Sequence, residues 1–347
     1  MQRLMKYRFF TAHIFALQPI IGYYMGGIFL YWPIYVAFVL TPAVDYLTNN
    51  SGWAKLRKVE TIPNRLSEII LLSYAPIQFF LLGFSCYMVS HQHLTWSEWC
   101  GFVISVGIIS GAIGVTAGHE LIHRKSKVHR LLGNMLTLCI CYAHFYRAHQ
   151  WHHATVATPN DPSSAKLGES FYQFYPRTVT GCIKNAWALE QKRLERTKRS
   201  AFSLNNHFWW IILIPLLVTL ALFFTWGLSA ACFFLLQSII AFSSLEVISY
   251  VQHYGLQRRQ LEKGKYERVS LKHAWDSNHW LTNMALFQLP YHPAHHINGS
   301  KPFHKLKPFE ESPQLPYGYS SMLLIALIPP LWFKLMNPRV EQYSQAR

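Results

Sequence analysis

Charge is sparse in this chain. Only 14% of its 347 residues are charged, and acids are scarcest, 16 Asp and Glu against 32 Lys and Arg. Together with 51% hydrophobic and 16% aromatic residues, this excludes an ordinary pair of soluble domains and points to a membrane protein. There are six cysteines, Cys86, Cys100, Cys139, Cys141, Cys182 and Cys232, and none forms a CxxC pair. That argues against a disulfide framework, an iron–sulfur site and a fused electron carrier. No low-complexity tract is present, and no internal repeat beyond the reuse of HxxHH. The basic start MQRLMKYRFF lacks a small-residue cleavage site behind it, so the first apolar run reads as an uncleaved helix.

Apolar stretches of the roughly 20 residues needed to cross a bilayer lie near 8–27, 28–47, 67–90, 99–118, 208–227 and 229–250. The expectation is an all-α membrane protein, a single domain over 1–347 with six transmembrane helices. The run from Tyr319 to Phe333 is short and broken by Pro329 and Pro330, and reads as interfacial or packed on the bundle. A mean hydropathy of only +0.11 implies a large polar part, here the segments 119–207 and 251–318.

The net charge of +16 is a topology signal rather than a mark of nucleic-acid binding, because the cations sort by side. Arg3, Lys6 and Arg8, the group Lys55, Arg57, Lys58 and Arg65, thirteen residues from Arg124 to Arg199 and nine from Arg258 to Lys307 fall on one face. The connections on the other face, Gly26–Tyr31, His91–Glu98 and Trp226–Ser229, contain no Lys or Arg. The positive-inside rule then puts both termini and the polar segments on the cytoplasmic side, with attraction to anionic lipid as a secondary effect.

Nine of the eighteen histidines are clustered: His119 and His123 in GHELIHR, His149, His152 and His153 in HQWHH, His253 in QHYGL, and His292, His295 and His296 in HPAHH. Imidazoles at i, i+3 and i+4 share a helix face, so each cluster can grip one side of a metal site. All-nitrogen sites suit iron, zinc, copper or nickel. HExxH alone is also the helix signature of zinc proteases, with Glu120 as general base. A zinc site needs three protein ligands, however, and that reading strands the other dense clusters. A transporter using histidines as a relay should show ionisable residues along several spans, whereas Glu246 is nearly the only one deep in an apolar run. Of the remaining histidines, His13, His91, His93, His129, His207 and His304 read as interfacial or solvated. His144, His273 and His279 lie near the clusters and could support them.

Glu246 precedes His253 by two helical turns on one face and reads as a supporting acceptor or part of the site mouth. Asp161, in the turn that follows the second cluster, and Asp276 in WDSNH are candidates for orienting imidazoles through their second nitrogen.

These motifs, with LTPAVDYLTNN, HHATVATPNDPSSAKLGES, EVISYVQHYGL and AWDSNHWLTNMALFQLPYHPAHH, resemble the integral-membrane alkane 1-monooxygenases and their alkyl-aromatic methyl hydroxylase relatives, within the wider fatty-acid desaturase and hydroxylase group. The resemblance covers most of the chain. It implies a non-haem di-iron centre bound by His119, His123, His149, His152, His153, His253, His292, His295 and His296, beneath a hydrophobic channel in a bacterial inner membrane. It further implies that two Fe ions activate O2 with electrons from a rubredoxin or ferredoxin and its reductase. The terminal methyl of an alkane or alkyl chain would be hydroxylated, and Glu120, Glu246, Asp161 and Asp276 would balance charge around the site.

Some positions depart from the family pattern. The second box reads HxxHH with Arg147 and Ala148 before it, where these hydroxylases usually have HxxxHH preceded by Glu, so His149 is the ligand that the pattern supports least. Gln252 replaces a usual Glu, Ser249 an Asn, and Pro290, Tyr291, Pro293 and Ala294 replace polar residues around His292, while Arg124 stands where Lys is common. These changes bear on substrate rather than on the metals. Fatty-acid terminal hydroxylation, desaturation or oxidative decarboxylation to a 1-alkene uses the same kind of centre, and Arg147 could greet a carboxylate.

Overall fold

The computed structural model describes residues 5–50 and 62–345; Arg3, Lys55, Arg57, Lys58 and Arg347 lie outside them. Apart from isolated bridges, every regular element among the described residues is helical. Chain order gives α1 (Thr11–Met25), α2 (Gly27–Asn49), α3 (Asn64–His91), α4 (Trp96–Ile122), α5 (Lys127–Leu138), α6 (Phe145–Thr155) and α7 (Phe171–Arg196). Then follow α8 (His207–His253), α9 (Trp280–Ala285), α10 (His292–Ile297), α11 (Tyr319–Ala326) and α12 (Pro329–Gln345).

Four helices, α2, α3, α4 and α8, are individually long and apolar enough to cross a membrane. Three of the six expected runs therefore look different in three dimensions. The run over 8–27 forms an α-helix of only 15 residues, short of the roughly 20 that a perpendicular crossing takes. The runs over 208–227 and 229–250 are two arms of one 47-residue helix, broken at Gly227 with φ +83° and ψ −176°, a conformation essentially open to glycine alone. The arms fold back on each other. The His207 backbone N–H donates to Glu190, and Ser243 bonds the Tyr175 hydroxyl at 2.7 Å, so both positions rest on α7. A straight helix would hold His207 and Ser243 about 54 Å apart, whereas Tyr175 and Glu190 lie only about 22 Å apart along α7.

The proline-broken C-terminal run forms α11 and α12, bent by 120°, with Pro329 opening α12, where its missing N–H costs nothing. Single π turns interrupt α2 at Val36–Leu40 and α4 at Ser110–Gly114. At the second of these, α4 meets the C-terminal arm of α8 so closely that a Cβ on Gly111 would lie 2.7 Å from Ala241 Cα. One continuous apolar core, including Phe102, Phe233, Tyr250 and Trp332, joins the long helices to the polar segments. His13 and His304 are buried rather than solvated, bonded to Ser73 and Asn64 respectively, because α1 and the segment after α10 pack onto α3.

Candidate metal centre

The clusters converge from four helices. His119 lies in the last turn of α4, with His123 capping its end. The Phe145–Thr155 helix carries His149, His152 and His153, the long α8 ends on His253, and the six-residue α10 carries His292, His295 and His296.

The structure sorts these imidazoles differently from the sequence clusters. His119, His123, His149, His153 and His295 form one group, and His152, His253, His292 and His296 a second; within each, the candidate ligand nitrogens lie within 4.8 Å of one another. Each HxxHH motif is thus divided. Its first and last histidines turn to one group and its middle one to the other. A cluster does not grip one side of one site but serves both, because i and i+4 align along a helix while i+3 is rotated away by about 60°.

His149 Nε2 sits 2.8 Å from His119 Nε2, 2.9 Å from His123 Nε2 and 3.0 Å from His153 Nε2. In the second group His292 Nε2 lies 3.0 Å from Nε2 of both His253 and His296. One imidazole nitrogen carries a single proton or a single lone pair, so it cannot hydrogen-bond three others. The spacing instead matches the edge of a coordination shell, since two nitrogens about 2.1 Å from a shared ion at right angles lie about 3.0 Å apart. Nine imidazoles in sets of five and four fit two transition-metal ions. His149 belongs geometrically with the other eight, because the shortened box reproduces the i, i+3, i+4 spacing of HPAHH.

Burial and crowding keep His149 and His123 unprotonated. Burial, then the neighbouring His119, His153 and His123, holds His149 well below its ordinary value, and burial, then Arg124 and His152, lowers His123 to about 4. Neutral imidazoles present the lone pairs that a metal needs.

Of the four acids singled out, Asp161 Oδ2 lies 2.8 Å from His152 Nδ1 and also accepts from Ser164 Oγ at 2.6 Å. It fixes the ring so that Nε2 faces the second group. Glu246 instead takes the Tyr142 hydroxyl at 2.7 Å and the Thr178 hydroxyl at 2.9 Å. Glu120 accepts from Arg124 at 2.5 Å and from the Phe303 N–H at 3.0 Å, tying α4 to the segment after α10. Asp276 accepts the Phe309 N–H at 3.3 Å and pins a loop, away from the imidazoles it was expected to orient. Nearby, His273 contacts Glu267 and Ser270, His279 contacts Ser277, and His144 packs on Tyr142.

A cavity opens where the two groups meet. Its wall includes His119, His149, His152, His292 and Glu246, with the apolar Val115, Phe145, Leu245, Ile248 and Leu289. On the other side, the partly exposed His123 and His153 edge an open depression shared with Gln150, Asn298 and Ser300. Arg147, which the sequence suggested could greet a carboxylate, binds Glu190 and Gln150. Sequence reasoning missed Tyr142 and Thr178, which lie 104 and 68 residues from the Glu246 they serve, and no local signal marks them.

A family model described as fatty acid desaturase matches residues 94–325. Alkane 1-monooxygenase 2 of Pseudomonas aeruginosa is 36% identical over 99% of this chain and 94% of its own length. Alkane 1-monooxygenase 2 of Alcanivorax borkumensis is 44% identical over 71% of this chain and 64% of its own. The xylene/toluene monooxygenase hydroxylase component XylM of Pseudomonas putida is 28% identical over 97% of the chain. The chain belongs to the fatty acid desaturase family, as an oxidoreductase of its alkane 1-monooxygenase group.

Proposed function

We propose that the protein is a six-span, inner-membrane, non-haem di-iron monooxygenase that hydroxylates the terminal methyl of alkanes or alkyl chains. It is a single membrane domain with its metal face in the cytoplasm, and takes electrons from a rubredoxin or ferredoxin with its reductase. The observation that carries this reading is the division of nine histidines into groups of five and four beside one largely apolar cavity. Two iron ions held there would supply dioxygen activation and C–H oxidation.

The chain's own residues do the rest. Val115, Phe145, Leu245 and Leu289 exclude water and give an alkyl chain an apolar wall. Asp161 keeps His152 in the tautomer that offers Nε2 inward. Oε2 of Glu246, paired with the Thr178 hydroxyl, is the cavity-wall atom that can hold a proton. The polar depression at His123 and His153 gives a carrier protein its nearest approach to the centre. Neither wall of the apolar interior carries Lys or Arg among the described residues that line it, and Arg147 is engaged elsewhere. An ionised fatty acid would therefore be buried without a counter-charge, which favours neutral chains.

Purified protein should contain two irons per chain and convert octane to octan-1-ol when given dioxygen, carrier and reductase. His149→Ala should lose at least one iron and lower turnover on the order of 100-fold or more, since even second-sphere changes at metal sites cost about 10- to 100-fold. A single zinc with no iron would overturn the proposal, and so would full activity in the variant.

A further inference from the structure

A second cavity lies beyond the first. It is bounded by Ala37 and Phe38 of the π turn in α2 and by Ala112 and Ile113 of the π turn in α4. Ile248 lines both cavities, and Gly111 with Ala112 and Ser244 with Leu245 put neighbouring residues on each side of the junction. The two cavities thus adjoin across Ile248, and together they reach from the π turns to the imidazoles.

Of the six polar side chains that line this apolar pocket, Ser320 is only partly buried, and three are already bonded: Ser244 to the Ile240 carbonyl, Thr282 to Asp45, and Tyr319 to Gln252. Gln18 and Thr41 are not. Gln18 is 9% exposed and Thr41 3%, both line the cavity, and neither Gln18 Oε1 nor Thr41 Oγ1 has a hydrogen-bond partner among the described residues. Buried polar atoms are almost always paired, and each π turn adds a residue that reshapes the helix beside the cavity.

We propose that Gln18 and Thr41 bind the hydroxyl end of a long-chain primary alcohol, so that the enzyme accepts alkyl chains already hydroxylated at one end and oxidises the opposite methyl. A hydroxyl donates one hydrogen bond, to Gln18 Oε1, and accepts one, from the Thr41 hydroxyl. A plain alkane leaves both atoms unpaired, and a carboxylate has no proton for Gln18 and finds no Lys, Arg or His among the described lining residues. The inference rests on the hydroxylase reading above. In the reaction a terminal C–H bond breaks and a C–O bond forms with one oxygen atom of O2. The other oxygen leaves as water with two protons and two electrons from the carrier protein, and the product is an α,ω-diol.

The test uses iron-loaded enzyme in lipid nanodiscs, with empty nanodiscs as the blank. Thermal unfolding is followed with dodecane, dodecan-1-ol or dodecanoate, and turnover with dioxygen, carrier and reductase is then compared. Dodecan-1-ol should raise the unfolding temperature most, and its kcat/KM should exceed that of dodecane. Gln18→Leu and Thr41→Val should each cut that preference by about ten-fold or more, as sites built around a substrate hydroxyl do. Without ligand both variants should unfold at higher temperature, because a buried unpaired polar atom has been removed. The proposal is overturned if the preference is absent, if it is unchanged in both variants, or if dodecanoate binds as well as the alcohol. Gln18-dependent stabilisation by dodecan-1-ol without any oxidation would support the site and sink the hydroxylase reading. Oxidation of dodecane without preference for the alcohol would do the reverse.

Discussion

Asp276 shows how a single residue can be found by sequence and given the wrong task. Its neighbours in WDSNH suggested an acid beside an imidazole, but the carboxylate is fully buried against a loop, where burial pushes it up to about 6. Its folded value lies above the unfolded one, so the stability it contributes is complete below about pH 4 and is lost as pH rises through about 6. From about pH 5 to about pH 7.5 the loss is about 1.4 kcal/mol by linkage. Asp276→Asn should be insensitive to this window. The difference in unfolding free energy between the two proteins should shift by that amount, in favour of the variant at the higher pH, and pH-independent parallel curves would refute the assignment. The histidines themselves were legible because HxxHH and HExxH are local spacings. Their partition into fives and fours was not, since it depends on how four helices are rotated against one another.

At the scale of elements, the stretch from Ala154 to Ser170 is rich in turn formers, with Pro159, Asn160, Asp161 and Pro162 breaking any helix, and Asp161 within it is legible as a partner for an imidazole. What keeps it in place comes from α7. Arg177 donates to both oxygens of Glu169 at 2.7 Å and to the carbonyls of Pro162 and Ser164, a fork that only guanidinium can make. Arg177→Ala should therefore release Asp161 from His152 and weaken iron retention roughly ten-fold against a chelator, with helical content kept. Arg177→Lys should not rescue it; unchanged iron retention would refute the assignment, and loss of helical content would point to general unfolding instead. The sequence of α7 is dense in charge, with Arg177, Lys184, Glu190, Lys192, Arg193, Glu195 and Arg196. Its charges concealed a buried row, Phe174, Thr178, Cys182, Ala186 and Glu190, whose meaning depends on the helices packed above it. The apolar runs were legible for the opposite reason, since bilayer solvation imposes its pattern before any packing is known.

The whole molecule tests the topology. On the proposed six-span topology, an alkaline phosphatase reporter joined after Gln92 should be active outside the cytoplasm, and one joined after Lys125 should be inactive. Activity after Lys125 would invert the protein and place its histidines on the wrong side for a cytoplasmic electron carrier. The split HxxHH motifs also govern how the centre is assembled. Neither α6 nor α10 can settle into position for one ion without committing side chains to the other, so the two binding events share their ordering cost. Iron uptake by the apoprotein should consequently be all-or-none, with singly loaded molecules rare at half saturation. A cell short of iron would then hold a mixture of complete and empty enzymes rather than a population of half-built ones.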